Sequence, residues 1–201
     1  WVEQDPRALW ENSLVVLREA LAEAGASAGE VAGLGVTTQR STVLAWDAQS
    51  GEPLAPAIGW QDQRTALRAA ELQSRGVPMP VQASATKLEG LLQNDTGVAA
   101  AARGGGLRLG TPDVWLTDRL TGGSRFVTDP SCASATGLYD PREGSWMEPV
   151  VALFGVPPEA LPTLVATAEV EGEDRKSTRL KSSHRPISGN VVLIETVGGG
   201  G

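Results

Sequence analysis

The sequence predicts a mixed α/β domain. Three observations point to it. A capped amphipathic helix stands near the N-terminus. Short apolar strands follow it, with an arginine in the break between them. Helical stretches then alternate with brief extended pieces.

The first helix is "DPRALWENSLVVLREALAEAG". Asp5 is a good N-cap and Pro6 suits the first helical position. Trp10, Leu14, Leu17 and Leu21 recur at helical spacing as one apolar stripe, and Gly25 supplies the stop. "VAGLGVTT" is expected to give a short buried strand over residues 31–37. "TVLAWD" gives the next. The turn "DAQSGEP" follows, with Asp47, Ser50 and Gly51 as its turn chemistry. The spacing predicts a hairpin-like pairing with "PLAPAIGW".

Residues 61–75, "QDQRTALRAAELQSR", are expected to be helical. So is "ATKLEGLLQND", with Leu88, Leu91 and Leu92 on one face. Residues 104–106, three glycines, mark a flexible spot. "LRLGTPDVWLTDRLTGG" reads as an extended piece and then a helix, capped by Thr111, begun by Pro112 and ended by Gly122. A short strand is expected over residues 126–128. "SWMEPVVALFGVPPEALPTLV" gives a helix and one further helical turn. Two or three strands against five helices leave a sheet poorly covered at one edge.

Bulk properties narrow the function classes. The chain has 201 residues, 41% hydrophobic and 20% charged, which is ordinary for a globular domain. A net charge of −7 with no basic face argues against nucleic acid as a partner. One cysteine, Cys132, allows no internal disulfide and fits a cytoplasmic setting. No apolar run approaches the ~20 residues of a membrane span. A chain that opens on Trp1 reads as a piece of something longer.

Composition changes sharply near residue 172. Residues 1–172 hold eleven arginines but one lysine, Lys87. Twelve basic groups there face twenty-one acidic ones, a net of −9. Residues 173–201 carry two lysines, the only histidine and a net of +2. The domain is therefore placed at 1–172. The tail 173–201 is read as disordered and not native to the domain, similar to translated adaptor sequence. A native disordered linker is the plainer alternative.

Six collinear blocks carry a family likeness. They are "WVEQDPRALWENSLVVLREAL", "VAGLGVTTQRSTVLAWDAQSGEPLAPAIGWQDQRT", "SATKLEGLLQN", "GTPDVWLTDRLTGG", "FVTDPSCASATGLYDPREGSW" and "LFGVPPEALPTLVATAEVEG". Together they resemble the FGGY carbohydrate kinases, the glycerol kinase branch above all. The resemblance implies a ribonuclease H/actin-like fold of two domains around a cleft where ATP and sugar meet. It implies that this chain is an incomplete first domain, without the opening strands and the second domain. No "DxGT" phosphate loop is present. "TAEVEG", residues 167–172, matches the block that precedes the family's "GDQ" base, and the tail replaces what should follow. Asp174 lacks that context. No catalytic, cofactor-binding or metal-binding residue is therefore assigned.

Substrate-binding residues are assigned. Arg40 follows a strand, where a cleft lies beyond the carboxyl end. Its guanidinium can fork onto two neighbouring hydroxyls. The resemblance gives the matching arginine a substrate contact, with Gln39 and Ser41 beside it. Trp60 matches an apolar wall, with a core role as the plain alternative. Gln82 stands where the family usually has a substrate-bonding tyrosine. Ser41 replaces a usual glutamate and Gly90 a common tryptophan. Ser41 and Gln82 support the kinase family better than they support glycerol, and admit a larger polyol or a ketose. Lys87 is read as structural, a candidate partner for a carboxylate. Asp129 and Ser131 are read as turn or cap residues. Cys132, with no histidine in the domain to activate it, is not a nucleophile.

The expected parent is an ATP- and Mg²⁺-dependent kinase, cytoplasmic and homo-oligomeric, acting on a small polyol or sugar. The chain alone is expected to bind neither ATP nor metal and to be inactive. The alternative is a non-catalytic polyol-binding or assembly module that keeps the fold.

Overall fold

The computed structural model describes residues 1–31 and 33–167 and the backbone of 192–194. The tail expectation for 173–201 lies outside the described residues except at 192–194.

Strand β3 (Leu44–Asp47) divides the interior into two cores. Successive strand residues point to opposite faces. Val43 and Ala45 therefore enter one apolar cluster with Leu72, Leu88, Leu109 and Phe154. Leu44 and Trp46 enter a second with Val114, Trp115 and Leu116. Both faces are covered, so these four residues are at most 1% exposed. Each large side chain buried this way contributes about 1.5–3 kcal/mol.

Helix α1 (Pro6–Ala24) forms as its ends dictate: the Asp5 side chain accepts from the Arg7 amide, and Gly25 stops the helix at φ 64°. Leu9 and Trp10 pack on the second core. The rest of the apolar stripe is only half-buried, and Val15 and Val16 are exposed. Strand β1 (Glu3–Gln4) pairs antiparallel with β4 (Ala57–Ile58). The bridge between Val43 and Ile58 attaches that pair to the start of β3. β3 also pairs antiparallel with β5 (Leu107–Gly110). The expected hairpin is present: the Leu54 amide donates to Ala45, and Gly51 turns the chain at φ 69° where the Asp47 carboxylate accepts from the Ser50 amide.

Strand β2 is shorter and less buried than expected, spanning Leu34–Val36 with only Val36 buried. It pairs antiparallel with the backbone of β10 (Val192–Ile194). The helix expected over residues 61–75 starts later, as α2 (Ala66–Ser74). The Asp62 side chain captures the Arg64 amide and prevents an earlier start. Helix α3 (Ser84–Asn94) forms as expected, burying Leu88 and Leu91. A helix that was not expected follows, α4 (Thr96–Arg103), capped by Asp95 on the Val98 amide.

Helix α5 (Pro112–Leu120) begins after Thr111. β6 (Val127–Thr128) pairs in parallel with β9 (Thr163–Leu164), and β7 (Tyr139–Asp140) pairs antiparallel with β8 (Ser145–Trp146). Between them lies the short α6 (Pro130–Ser134), and α7 (Glu148–Leu153) precedes a 3-10 turn at Pro158–Ala160. The α/β class is as expected, with more strands and helices than the sequence reading counted.

Asp113, in the first turn of α5, is fully buried and accepts from Thr111 Oγ1 and Thr128 Oγ1. Burial pushes its carboxyl above the ordinary range, and the hydroxyl contacts only partly oppose that. The folded chain thus keeps a proton that the unfolded chain releases near pH 4. This contribution to stability is present at low pH and is lost as pH rises above about 4. Asp113→Asn keeps an acceptor and a donor without that titration. Denaturation from pH 4 to 7 should show a smaller decline for the variant, with stability at pH 7 within about 1 kcal/mol of the native chain or above it. A loss well beyond that at pH 7 would mean that the buried carboxylate is charged and paired.

Candidate functional site

An open groove of about 540 Å³ lies where the loop after β2 meets the end of α6. It is lined by Gln39, Arg40, Ser41, Trp60, Ser134 and Ala135. Four of the five substrate-binding residues assigned from sequence therefore come together. Gln82 does not line it, and its side chain is exposed.

Arg40 lies just beyond the carboxyl end of β2, and it is exposed. Among the described residues its guanidinium makes no hydrogen bond or ion pair. Three other arginines are engaged: Arg7 with Glu52, Arg64 with Asp62 and Glu3, and Arg68 with Glu89. Trp60 is 43% exposed, so the groove-wall reading fits it better than the core reading. Its amide donates to the buried Thr42 hydroxyl at 3.2 Å, and the Val43–Ile58 bridge brings its strand alongside. Gln39 is partly committed, its amide donating to the Gln4 side chain at 2.6 Å.

Ser41 is the one non-glycine residue with positive φ among the described residues, at 67°. L-residues avoid that conformation, which costs about 1–2 kcal/mol. Two contacts hold it. Its hydroxyl donates to the Ala135 carbonyl at 3.2 Å, and its own carbonyl accepts from Lys87 Nζ at 3.1 Å. The hydroxyl is thus turned toward protein backbone rather than left for a ligand.

Lys87 has no exposed surface, and its second partner is the Gln82 carbonyl at 2.9 Å. A structural role is therefore right, but its partners among the described residues are carbonyls, not the expected carboxylate. Burial pulls its pKa down to about 8. Asp62, also buried, accepts from the Val2 amide and both faces of the Arg64 fork. That fork holds its carboxyl well below the usual range.

Ser134 and Ala135 were not among the assigned residues. Ser134 ends the block "DPSCAS" and Ala135 follows it; in that block Asp129 acts as the expected cap, accepting from the Cys132 amide at 2.8 Å. Cys132 is buried, and burial pushes its thiol up, which disfavours the reactive thiolate. A second cavity of about 540 Å³, touching Trp1, Ile58, Arg64, Lys87 and Gly90, offers no free cation: Arg64 is paired and Lys87 is bonded to carbonyls. Among the described residues no three carboxylate, histidine or cysteine side chains converge to hold a metal ion.

The sequence model of the FGGY family of carbohydrate kinases, N-terminal domain, matches residues 1–191. The chain belongs to that family. Among curated FGGY relatives, a glycerol kinase of Trichlorobacter lovleyi is 39% identical over 198 residues, covering 94% of this chain and 40% of the relative. Glycerol kinase 1 of Pseudomonas aeruginosa is 42% identical over 187 residues, covering 88% and 38%. The chain thus spans about two fifths of the length of these relatives. Among solved FGGY structures, Plasmodium falciparum glycerol kinase with ADP superposes with a TM-score of 0.72 at 26% identity, covering 85% of this chain and 36% of that one. Xylulose kinase from Rhodospirillum rubrum gives 0.73 at 28%, with the same coverage. These matches bear out the ribonuclease H/actin-like fold of FGGY kinases.

Arg40 and Trp60 carry no visible structural duty. Arg40→Ala and Trp60→Ala should each change unfolding free energy by no more than about 0.5 kcal/mol in denaturant titrations. A loss above about 1.5 kcal/mol would show that the residue serves the fold.

Proposed function

We propose that residues 1–172 form the polyol-holding part of an ATP-dependent carbohydrate kinase. The groove takes a small polyol or sugar, and the parent enzyme transfers the γ-phosphate of ATP to one of its hydroxyls. The observation that carries this reading is the guanidinium of Arg40, without a partner among the described residues, on an open groove beside the half-exposed Trp60.

A guanidinium offers fixed donors to two adjacent hydroxyl oxygens, and an indole face packs against the carbon side of the same ligand. Ser41 adds little to recognition, because its hydroxyl is bonded to Ala135. A carboxylate there would accept hydrogen bonds from a short triol more strongly. The groove therefore suits a longer polyol or a ketose at least as well as glycerol.

Phosphoryl transfer depends on positioning and on neutralising phosphate charge. The described residues contribute neither a phosphate loop nor a base poised over the groove. The chain by itself is therefore proposed to bind a polyol and not to phosphorylate it. ATP and Mg²⁺, a cytoplasmic setting and a homo-oligomeric assembly belong to the proposed parent and rest on the resemblance and the composition. A non-catalytic polyol-binding module is the second reading, and the same unused guanidinium favours it equally.

Calorimetric titration of the purified chain with glycerol and with D-xylulose tests the reading. Binding of either is expected, weakened about tenfold or more by Arg40→Ala. Incubation with ATP and Mg²⁺ should yield no phosphorylated product. No binding of either ligand would overturn the groove assignment. Turnover by the chain alone would overturn the claim of inactivity.

A further inference from the structure

Two segments that line the groove, the loop of residues 39–41 and the end of α6, are tied to each other and to the start of α3, which does not line it. The Ser41 hydroxyl donates to Ala135 at 3.2 Å. The Ala85 amide, at the start of α3, donates to Thr136 at 2.9 Å. Lys87 Nζ donates to Ser41 at 3.1 Å and to Gln82 at 2.9 Å. The first two ties run from the loop and from the helix to the segment after α6. The third runs directly between the loop that carries Arg40 and the turn before α3. Lys87 closes the triangle, and it does so with a buried ammonium.

We propose that Lys87 is the positioning residue of the polyol groove: its ammonium lashes the Arg40 loop to the turn before α3 and holds Ser41 in its left-handed conformation. The consequence for binding rests on the polyol reading above; the clamp itself does not. An unpaired ammonium would not be buried, and a left-handed serine would relax if released. Each feature therefore accounts for the other. The inference also gives Gln82 a role that its side chain does not have, through its carbonyl.

The clamp titrates. Burial lowers the Lys87 pKa to about 8, Arg64 pushes it the same way, and Asp62 opposes them. Those two come from the segment before α2. Glu3 of β1 and Asp95 at the end of α3 line the adjoining cavity, and Arg40 is the charge on the loop itself. Because the folded chain gives up this proton before the unfolded chain does, global stability rises between about 8 and the ordinary value of 10.5. The clamp weakens over the same window, since a neutral amine donates less strongly than an ammonium. Opposite trends for stability and for the groove separate a positioning role from a merely structural one.

The test uses the whole chain. Carbonyl ¹³C resonances of Ser41 and Gln82 are followed by NMR from pH 6.5 to 10.5, and glycerol affinity is measured over the same range. Both carbonyls should move together with a midpoint near 8. Affinity should fall about threefold from pH 7 to 9.5. Lys87→Met should abolish the titration and leave weak, pH-independent binding, and Lys87→Arg should recover part of the affinity. Carbonyls that stay flat through this window, or a Lys87→Met chain that binds glycerol as tightly as the native one, would overturn the proposal. If Lys87→Met does not fold, the native titration decides alone. Titrating carbonyls with no binding of glycerol or of D-xylulose at any pH would uphold the clamp and sink the polyol reading.

Discussion

A buried ammonium held between two backbone carbonyls is the constraint around which the site is arranged. Placing an uncompensated charge in a protein interior is costly. Lys87 is tolerated because Ser41 and Gln82 present their carbonyls to it. That arrangement in turn fixes where the loop of residues 39–41 runs. The loop leaves β2 and reaches β3, and β3 is covered on both faces by apolar clusters. The rigid strand sets the position of Thr42 and Val43, and the clamp sets the position of Ser41. Arg40 is thereby presented at the groove while contributing little to the fold.

The same logic explains a division of labour among charged groups. Asp62, Arg64, Arg68 and Glu89 satisfy one another and stabilise the segments around α2 and α3. Arg108 and Trp46 both bond the Asp118 carboxylate, and Trp46 meets Phe126 edge-on at 5.7 Å, which closes the second core. Arg40 stands apart from these networks. Arg18, Arg103 and Arg142 are likewise exposed and without a side-chain partner among the described residues, so what distinguishes Arg40 is its place on the groove.

Much of the fold could be read in the residues, and the failures have physical causes. Asp5, Pro6 and Gly25 bound α1 because capping is a local property that sequence displays directly. The turn at residues 47–53 was legible for the same reason. Residues 61–65 resemble a helix in composition, yet the Asp62 side chain competes for the backbone and delays it to Ala66. Helix α4 was missed although Asp95 before an alanine run was a fair signal. The two-residue strands depend on distant partners and leave no periodicity to detect. In the site, the sequence singled out four residues that line one groove. Gln82 was assigned for its side chain but bonds through its carbonyl, and Ala135, which does the same, was not assigned, because a carbonyl contact leaves no mark on residue type.

Membership of the FGGY kinases and the open groove beside Arg40 and Trp60 are the grounds on which the polyol site is proposed. The most direct measurement is a two-dimensional amide NMR spectrum of the chain titrated with a polyol such as glycerol or with D-xylulose. Shifts confined to residues 39–41, the Trp60 indole and residues 134–135 are predicted. Shifts centred instead on Trp1 and Arg64 in the neighbouring cavity, or none at saturating ligand, would contradict the assignment of the groove.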